Sequence, residues 1–199
     1  MYRVAITGGI GSGKSTVCEL LSLRGVACYN SDSRAKLLMA SSPSLREKLV
    51  ARFGDSVYCE GGLNRAYLAE RVFRCEAELR ALNAIVHPAV MEDFEAWAQQ
   101  QEGDYVVLES AILFEAGLEG YVDAVVSVVA PQDMRIERAM LRDGASREDV
   151  ARRVASQLSD DERRHRSRYI VENIELDRLP SVVEHLHQQL VYDSQSYRS

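Results

Sequence analysis

Apolar positions along the chain fall into two kinds of run, and their periods separate strands from helices. Tyr2-Arg3-Val4-Ala5-Ile6-Thr7 is a short stretch of β-branched and aromatic residues that stops at Gly8-Gly9, which predicts a buried strand ending in a glycine loop. From Lys14 to Leu23 the apolar residues Val17, Cys18, Leu20, Leu21 and Leu23 recur at helical spacing, with Gly25 following as the C-cap. A second strand fits Val26-Ala27-Cys28-Tyr29. Strand, loop, helix and strand within about 30 residues make a βαβ unit, and hence a parallel sheet.

Further strands fit Tyr105–Glu109, Ala124–Val129 and, more briefly, Tyr169-Ile170-Val171. Ala124–Val129 is apolar on both faces, as a central parallel strand must be. From Asp32 to about Gln101 the pattern is mostly helical, closing at Glu102-Gly103-Asp104. One apolar face is carried by Leu37, Leu38, Leu45, Leu49 and Phe53, and another by Leu79, Leu82, Ile85 and Val86, with a turn at Cys59–Leu63 between them. So long a connection exceeds a minimal crossover and predicts a helical insertion on the sheet's edge. A charged helical stretch with ten Arg runs from Gln132 to Arg168, and the last seven residues, 193–199, read as a frayed polar tail.

Composition narrows the class. The 199 residues suffice for one well-filled core, and 46% apolar with 27% charged residues excludes a disordered or collagen-like chain. A net charge of −6 argues against a general polyanion binder, so no nucleic-acid partner is expected. No apolar run of about 18 residues exists, so no membrane partner is expected either, and the N-terminus lacks the pattern of a secretory signal; the expectation is a cytoplasmic protein. Cys18, Cys28, Cys59 and Cys75 lack zinc-ligand spacing and read as small core hydrophobes. With 21 Arg against three Lys, Arg is the chain's default cation and a Lys stands out.

One of those three is Lys14. Gly8-Gly9-Ile10-Gly11-Ser12-Gly13-Lys14-Ser15 satisfies G-x-x-x-x-G-K-[ST], with Thr16 following, and lies between a predicted strand and a predicted helix. Its glycines allow successive backbone N–H groups to turn inward around an anion, and the helix start adds its partial positive charge. Lys14 can reach the β- and γ-phosphates of a nucleotide, and the Ser15 hydroxyl can ligate Mg²⁺.

Other candidates are less specific. Asp32 follows the second strand at the sheet edge that faces the phosphate loop, where a carboxylate can take the proton of an attacking hydroxyl; it fits equally as the N-cap of a helix starting at Ser33. Glu109 ends its strand at the same edge, and can hold Mg²⁺ through a water or simply be a solvated charge. Arg135, Arg138 and Arg142, at i, i+3 and i+7, form a stripe that can close over a nucleotide or stand as a solvated face.

Together these motifs resemble the dephospho-coenzyme A kinase family over nearly the whole chain, from Val4 to about Leu190. The resemblance rests on Thr7–Thr16, Asp32, Gly61–Arg65 followed by Val72-Phe73, Ile85–Val90, Leu113-Phe114-Glu115, the R-x-x-x-R-D-G run from Arg138 to Gly144, Gln157 and Asn173. It implies a P-loop α/β fold like that of nucleotide monophosphate kinases: a five-stranded parallel sheet, a helical acceptor-binding insertion and a lid. On that pattern the core spans about 1–31, 104–134 and 168–199, the insertion about 32–103 and the lid about 135–167.

The implied reaction transfers the γ-phosphoryl of ATP to the ribose 3′-hydroxyl of dephospho-coenzyme A, with Mg²⁺. The resemblance implies that Gly9, Gly11, Ser12, Gly13, Lys14, Ser15 and Thr16 hold ATP, with Asn173 lining the adenine pocket. Lys14, Arg138 and Arg142 would stabilise the phosphoryl group and Asp32 would act as base, with Arg65 and His87 beside it on the acceptor side. Partners are then ATP and dephospho-coenzyme A, in a monomer or weak homo-oligomer. Rival readings are another small-molecule kinase acting on a nucleoside or its monophosphate, and a non-enzymatic nucleotide switch.

The chain also departs from the family pattern. Asn30 stands at a common Asp, Glu109-Ser110-Ala111 at Asp-x-Pro, Arg135 at a common Gln, Arg163 at a common Lys, and Ser167-Arg168 at a common Ala-Asp.

Overall fold

The computed structural model describes residues 1–198, the side chains of residues 73, 74 and 198 excepted, so the Phe73 side chain of the resemblance lies outside the described residues. The chain divides into two compact units, one made of residues 1–30 together with those from Ala98 onward, and one of residues 31–97. Residues 135–167 belong to the first unit.

The first unit is built on five strands: β1 (Tyr2–Thr7), β2 (Ala27–Asn30), β5 (Tyr105–Glu109), β6 (Ala124–Val129) and β7 (Tyr169–Glu172). All pair in parallel in the order β2-β5-β1-β6-β7, with Val4 opposite both Val107 and Ala124. Every residue of β6 is buried, which follows from a strand covered on both faces. Alternate residues of β1, Tyr2, Val4 and Ile6, share a core with Val17 and Leu21 of helix α1 (Lys14–Ser22) and with Val183, Leu186 and Leu190 of helix α9 (Leu179–Arg198). Past α1 the amides of Gly25 and Val26 bond back to the carbonyls of Ser22 and Leu21, which ends the helix and turns the chain into β2.

Helices α6 (Gln132–Asp143), α7 (Arg147–Ala155) and α8 (Asp160–Arg166) connect β6 to β7. Ile136, Ala139, Val150 and Val154 bury a small core of their own between α6 and α7, with Ile10 of the glycine loop packed against it. Ser159 and Glu162 form a capping box at the start of α8.

The expected frayed tail is corrected by the structure, because α9 runs on to Arg198 and Ser194 is buried. Asp193 holds the last turns down: it accepts a hydrogen bond from the Tyr169 hydroxyl and pairs with Arg168 at 2.7 Å. Arg168, unusual for the family, thus has a structural partner. Ser167 has one too, its hydroxyl lying 2.7 Å from that of Ser127.

The second unit consists of α2 (Ser31–Ser41), α3 (Pro43–Phe53), the two-residue antiparallel strands β3 (Tyr58–Cys59) and β4 (Gly62–Leu63), α4 (Arg65–Arg74) and α5 (Glu76–Ala98). Its buried residues include Leu45, Leu49 and Phe53 of α3 and Val86, Val90, Met91 and Phe94 of α5. Leu37 and Leu79, expected on apolar faces, are instead exposed. The cysteine reading holds for only part of the set: all four are free, Cys18 is buried and Cys28 half-buried, but Cys59 and Cys75 are exposed, on the hairpin and just after α4.

Candidate active site

The glycine loop joins β1, the central strand of the sheet, to α1. Gly13 is the residue before α1 and sits at φ +93°, a left-handed conformation that side-chain-bearing residues avoid, and a Cβ there would lie 2.0 Å from Asn173 Nδ2. No side chain caps the first amides of α1, so these donors point outward at the site where an anion is favoured. Lys14 folds over the loop, its Nζ donating to the carbonyls of Gly8 (2.8 Å) and Gly9 (3.2 Å). Ser15 and Thr16 follow in the first turn of α1, both exposed.

Ser15 and Glu109 are brought together as the sequence suggested: the Ser15 hydroxyl donates to Glu109 Oε1 at 2.7 Å. Asn30, the register partner of Glu109 in the neighbouring strand, donates its side-chain amide to Oε2 at 2.6 Å. A hydroxyl and a carboxylate oxygen side by side next to a phosphate loop suit Mg²⁺, a hard cation that takes few protein ligands and completes its shell with phosphate and water.

The arginine stripe divides. Arg135 is buried, Arg138 is half-buried and donates to the Asn173 carbonyl at 2.9 Å, and Arg142 is exposed. Of the three, only Arg142 is exposed. Arg142 makes two hydrogen bonds to Asp143, at 2.7 and 3.1 Å, and together with Arg153 it pulls the Asp143 carboxyl down to about 2. Asn173, at the end of β7, is buried and donates from Nδ2 to the Ser12 carbonyl at 2.8 Å. Asn173 thus ties Arg138 of α6 to the loop.

Sequence reasoning missed a second tie. The Ile10 amide donates to Gln157 Oε1 at 2.8 Å, and the next amide, Leu158, donates to Glu115 Oε1 at 3.1 Å. The Leu158 carbonyl and Glu115 both accept from Arg163, which is fully buried. Burial pushes the Arg163 pKa below its ordinary value, and the charge of Glu115 acts against that. Gln157 and Glu115 already stood among the family motifs, which was the available signal. Arg163 stood out in the sequence only as a departure from a common Lys, with no sign of its burial.

Within residues 31–97, Asp32 stands in the first turn of α2, since that helix begins at Ser31 and not at Ser33. The N-cap role is thereby excluded, while the position remains favourable for a carboxylate. His87 is a half-buried residue of α5, directly before Pro88 within the helix. Burial lowers its pKa, and the charge of Asp32 acts in the opposite direction. Arg34 grips Asp93 through two hydrogen bonds, at 2.8 and 2.7 Å, and so fixes α2 against α5. Arg65 opens α4 and is exposed.

The profile of the dephospho-CoA kinase family matches residues 2–177. A dephospho-CoA kinase of Bacteroides fragilis (strain YCH46) is 40% identical over 195 residues, covering 96% of this chain and 95% of that protein. Among solved structures, TT1252 from Thermus thermophilus superposes with a TM-score of 0.82 at 34% identity, covering 96% and 97% of the two chains. A dephospho-CoA kinase from Campylobacter jejuni shares the fold, with a TM-score of 0.67 at 23% identity over 96% of this chain and 98% of its own.

Proposed function

This chain belongs to the dephospho-CoA kinase family, and from that premise we propose that it transfers the γ-phosphoryl of ATP to the ribose 3′-hydroxyl of dephospho-coenzyme A, forming coenzyme A. The observation that carries the site is the meeting of Ser15 and Glu109 beside the glycine loop, with Lys14 bonded to that loop's carbonyls. Mg²⁺, held by Ser15 with Glu109 acting through a water, supplies charge neutralisation of the triphosphate when bound.

In this reading the backbone of Gly9–Thr16 grips the phosphates and Asn173 borders the adenine. Lys14 leaves the loop carbonyls for the phosphates, while Arg138 and Arg142 neutralise charge on the group in flight. Asp32 accepts the proton of the 3′-hydroxyl, and His87 and Arg65 hold the acceptor. Burial of His87 disfavours its charged form, which suits a hydrogen-bonding role better than a second cation. The lid of this reading is residues 135–167 and the acceptor-binding part the helical insertion. A cytoplasmic setting and a monomer or weak homo-oligomer go with it. Among the described residues, no helix is long and apolar enough to cross a membrane.

The test is turnover with MgATP and a panel of acceptors. Dephospho-coenzyme A is expected to turn over well above any nucleoside or nucleoside monophosphate; turnover of a monophosphate with none of dephospho-coenzyme A contradicts the reading.

A further inference from the structure

Arg135 is the fourth residue of α6, only 5% exposed, with its guanidinium against the opening of the glycine loop. A Cβ on Gly9 would lie 1.8 Å from Arg135 Nη1, so the loop tolerates no side chain there while Arg135 is in place. Despite this burial, Nε and Nη1 have no hydrogen-bond partner among the described residues, and Nη2 has there only Asp160 Oδ2 at 3.6 Å, beyond hydrogen-bonding distance. Asp160 is shared, since its other oxygen lies 3.7 Å from Arg163 Nη1. Arg135 also lines a cleft of about 350 Å³ whose polar wall includes Gln132, Gln157 and Ser159 together with the carboxylates Asp160 and Asp161.

A buried cation with open donors is unfavourable until an anion arrives. The planar fork of an arginine matches the paired oxygens of a phosphate, and a site shielded from water strengthens that contact. We propose that Arg135 is a phosphate ligand of the nucleotide, completing the anion cradle of the glycine loop from the α6 side. The proposal rests on the kinase reading and adds to it a residue that reading leaves without a role. Its ligand class is a polyphosphate: the triphosphate of ATP, whose shared chemistry inorganic tripolyphosphate isolates from the base and ribose.

The experiment is calorimetric titration of the wild type, Arg135→Gln and Arg135→Lys with inorganic tripolyphosphate and with MgATP at low and high salt. Thermal unfolding of the free proteins and titration with dephospho-coenzyme A run alongside. Arg135→Gln is expected to weaken both phosphate ligands by about ten- to a hundredfold and to flatten their salt dependence. Its unliganded melting temperature stays the same or rises, because a buried guanidinium with unsatisfied donors has been removed, and Arg135→Lys recovers part of the affinity. Unchanged phosphate affinity in Arg135→Gln overturns the proposal. So does a lower melting temperature accompanied by an equal loss of dephospho-coenzyme A binding, which marks a structural role. If the wild type fails to phosphorylate dephospho-coenzyme A while Arg135→Gln still loses tripolyphosphate, the reaction is misread and the role of Arg135 stands.

Discussion

Asn30 and Glu109 face each other in register across β2 and β5, joined by a 2.6 Å hydrogen bond from the amide to Oε2, while Oε1 accepts from Ser15. Two departures from the family pattern therefore meet at one contact. Where relatives commonly have Asp at the first position, this chain has an amide that donates to the longer carboxylate of Glu109. The pair carries one negative charge, fully hydrogen-bonded, next to the residue that would hold Mg²⁺.

Asn30→Asp should then set two carboxylates against each other. The expected loss of stability is about 1–2 kcal/mol at pH 8 and less at pH 5, since the repulsion needs both charges. Chemical denaturation at the two pH values checks it, and Asn30→Asp combined with Glu109→Gln should restore the loss. No loss at pH 8 contradicts the contact.

Lys14→Ala should lose more rate than Asp32→Asn when dephospho-coenzyme A is saturating. Phosphoryl transfer passes through a loose transition state, in which positioning and charge neutralisation outweigh removal of the hydroxyl proton. A loss of about 10²-fold for Asp32→Asn fits general-base assistance. Single-turnover rates give the ranking, and the reverse order with binding intact refutes it.

His87 should make stability fall on acidification. Burial holds its folded pKa below the ordinary 6.5, with Asp32 only partly opposing. The unfolded chain therefore takes up a proton more readily than the folded one. This contribution is fully present above about pH 6.5 and is lost as the pH falls through that value toward the folded pKa. Urea midpoints at pH 7.5 and 5 should differ more for the wild type than for His87→Asn; equal differences rule the effect out.

Arg163→Ala should be among the most damaging changes outside the chemistry. It strips the Leu158 carbonyl and Glu115 of a fully buried partner, at an expected cost of about 3–5 kcal/mol. Because Leu158 follows Gln157, the Ile10 amide loses its anchor too, so ATP affinity should fall along with the urea midpoint. An unfolding free energy within about 1 kcal/mol of the wild type would falsify this account of the network.

What could be read from the sequence was what local pattern controls. β1, β5 and β6 span the very residues marked by their apolar runs, because a strand buried on both faces reads as a nearly continuous apolar run. The glycine loop was legible for a similar reason, its backbone needs being local. The ties that hold the loop were not legible: Gln157 meets Ile10 from 147 residues away and Asn173 meets Ser12 from 161. Charge also misled. Arg135 lies in a stretch so rich in Arg that a solvated face was one of its two readings, yet it is buried, and so is Arg163. The polar tail continues α9 because Asp193 finds Arg168 and Tyr169, a pairing visible only once β7 lies beside the helix.

The central claim is about where one phosphoryl group goes, and phosphorus NMR of the products formed from MgATP and dephospho-coenzyme A reads that directly. The account predicts one new monoester resonance coupled to the ribose H3′ proton, growing in step with ADP. A phosphoryl group on any other oxygen, or ADP formed with no new ester, would contradict it.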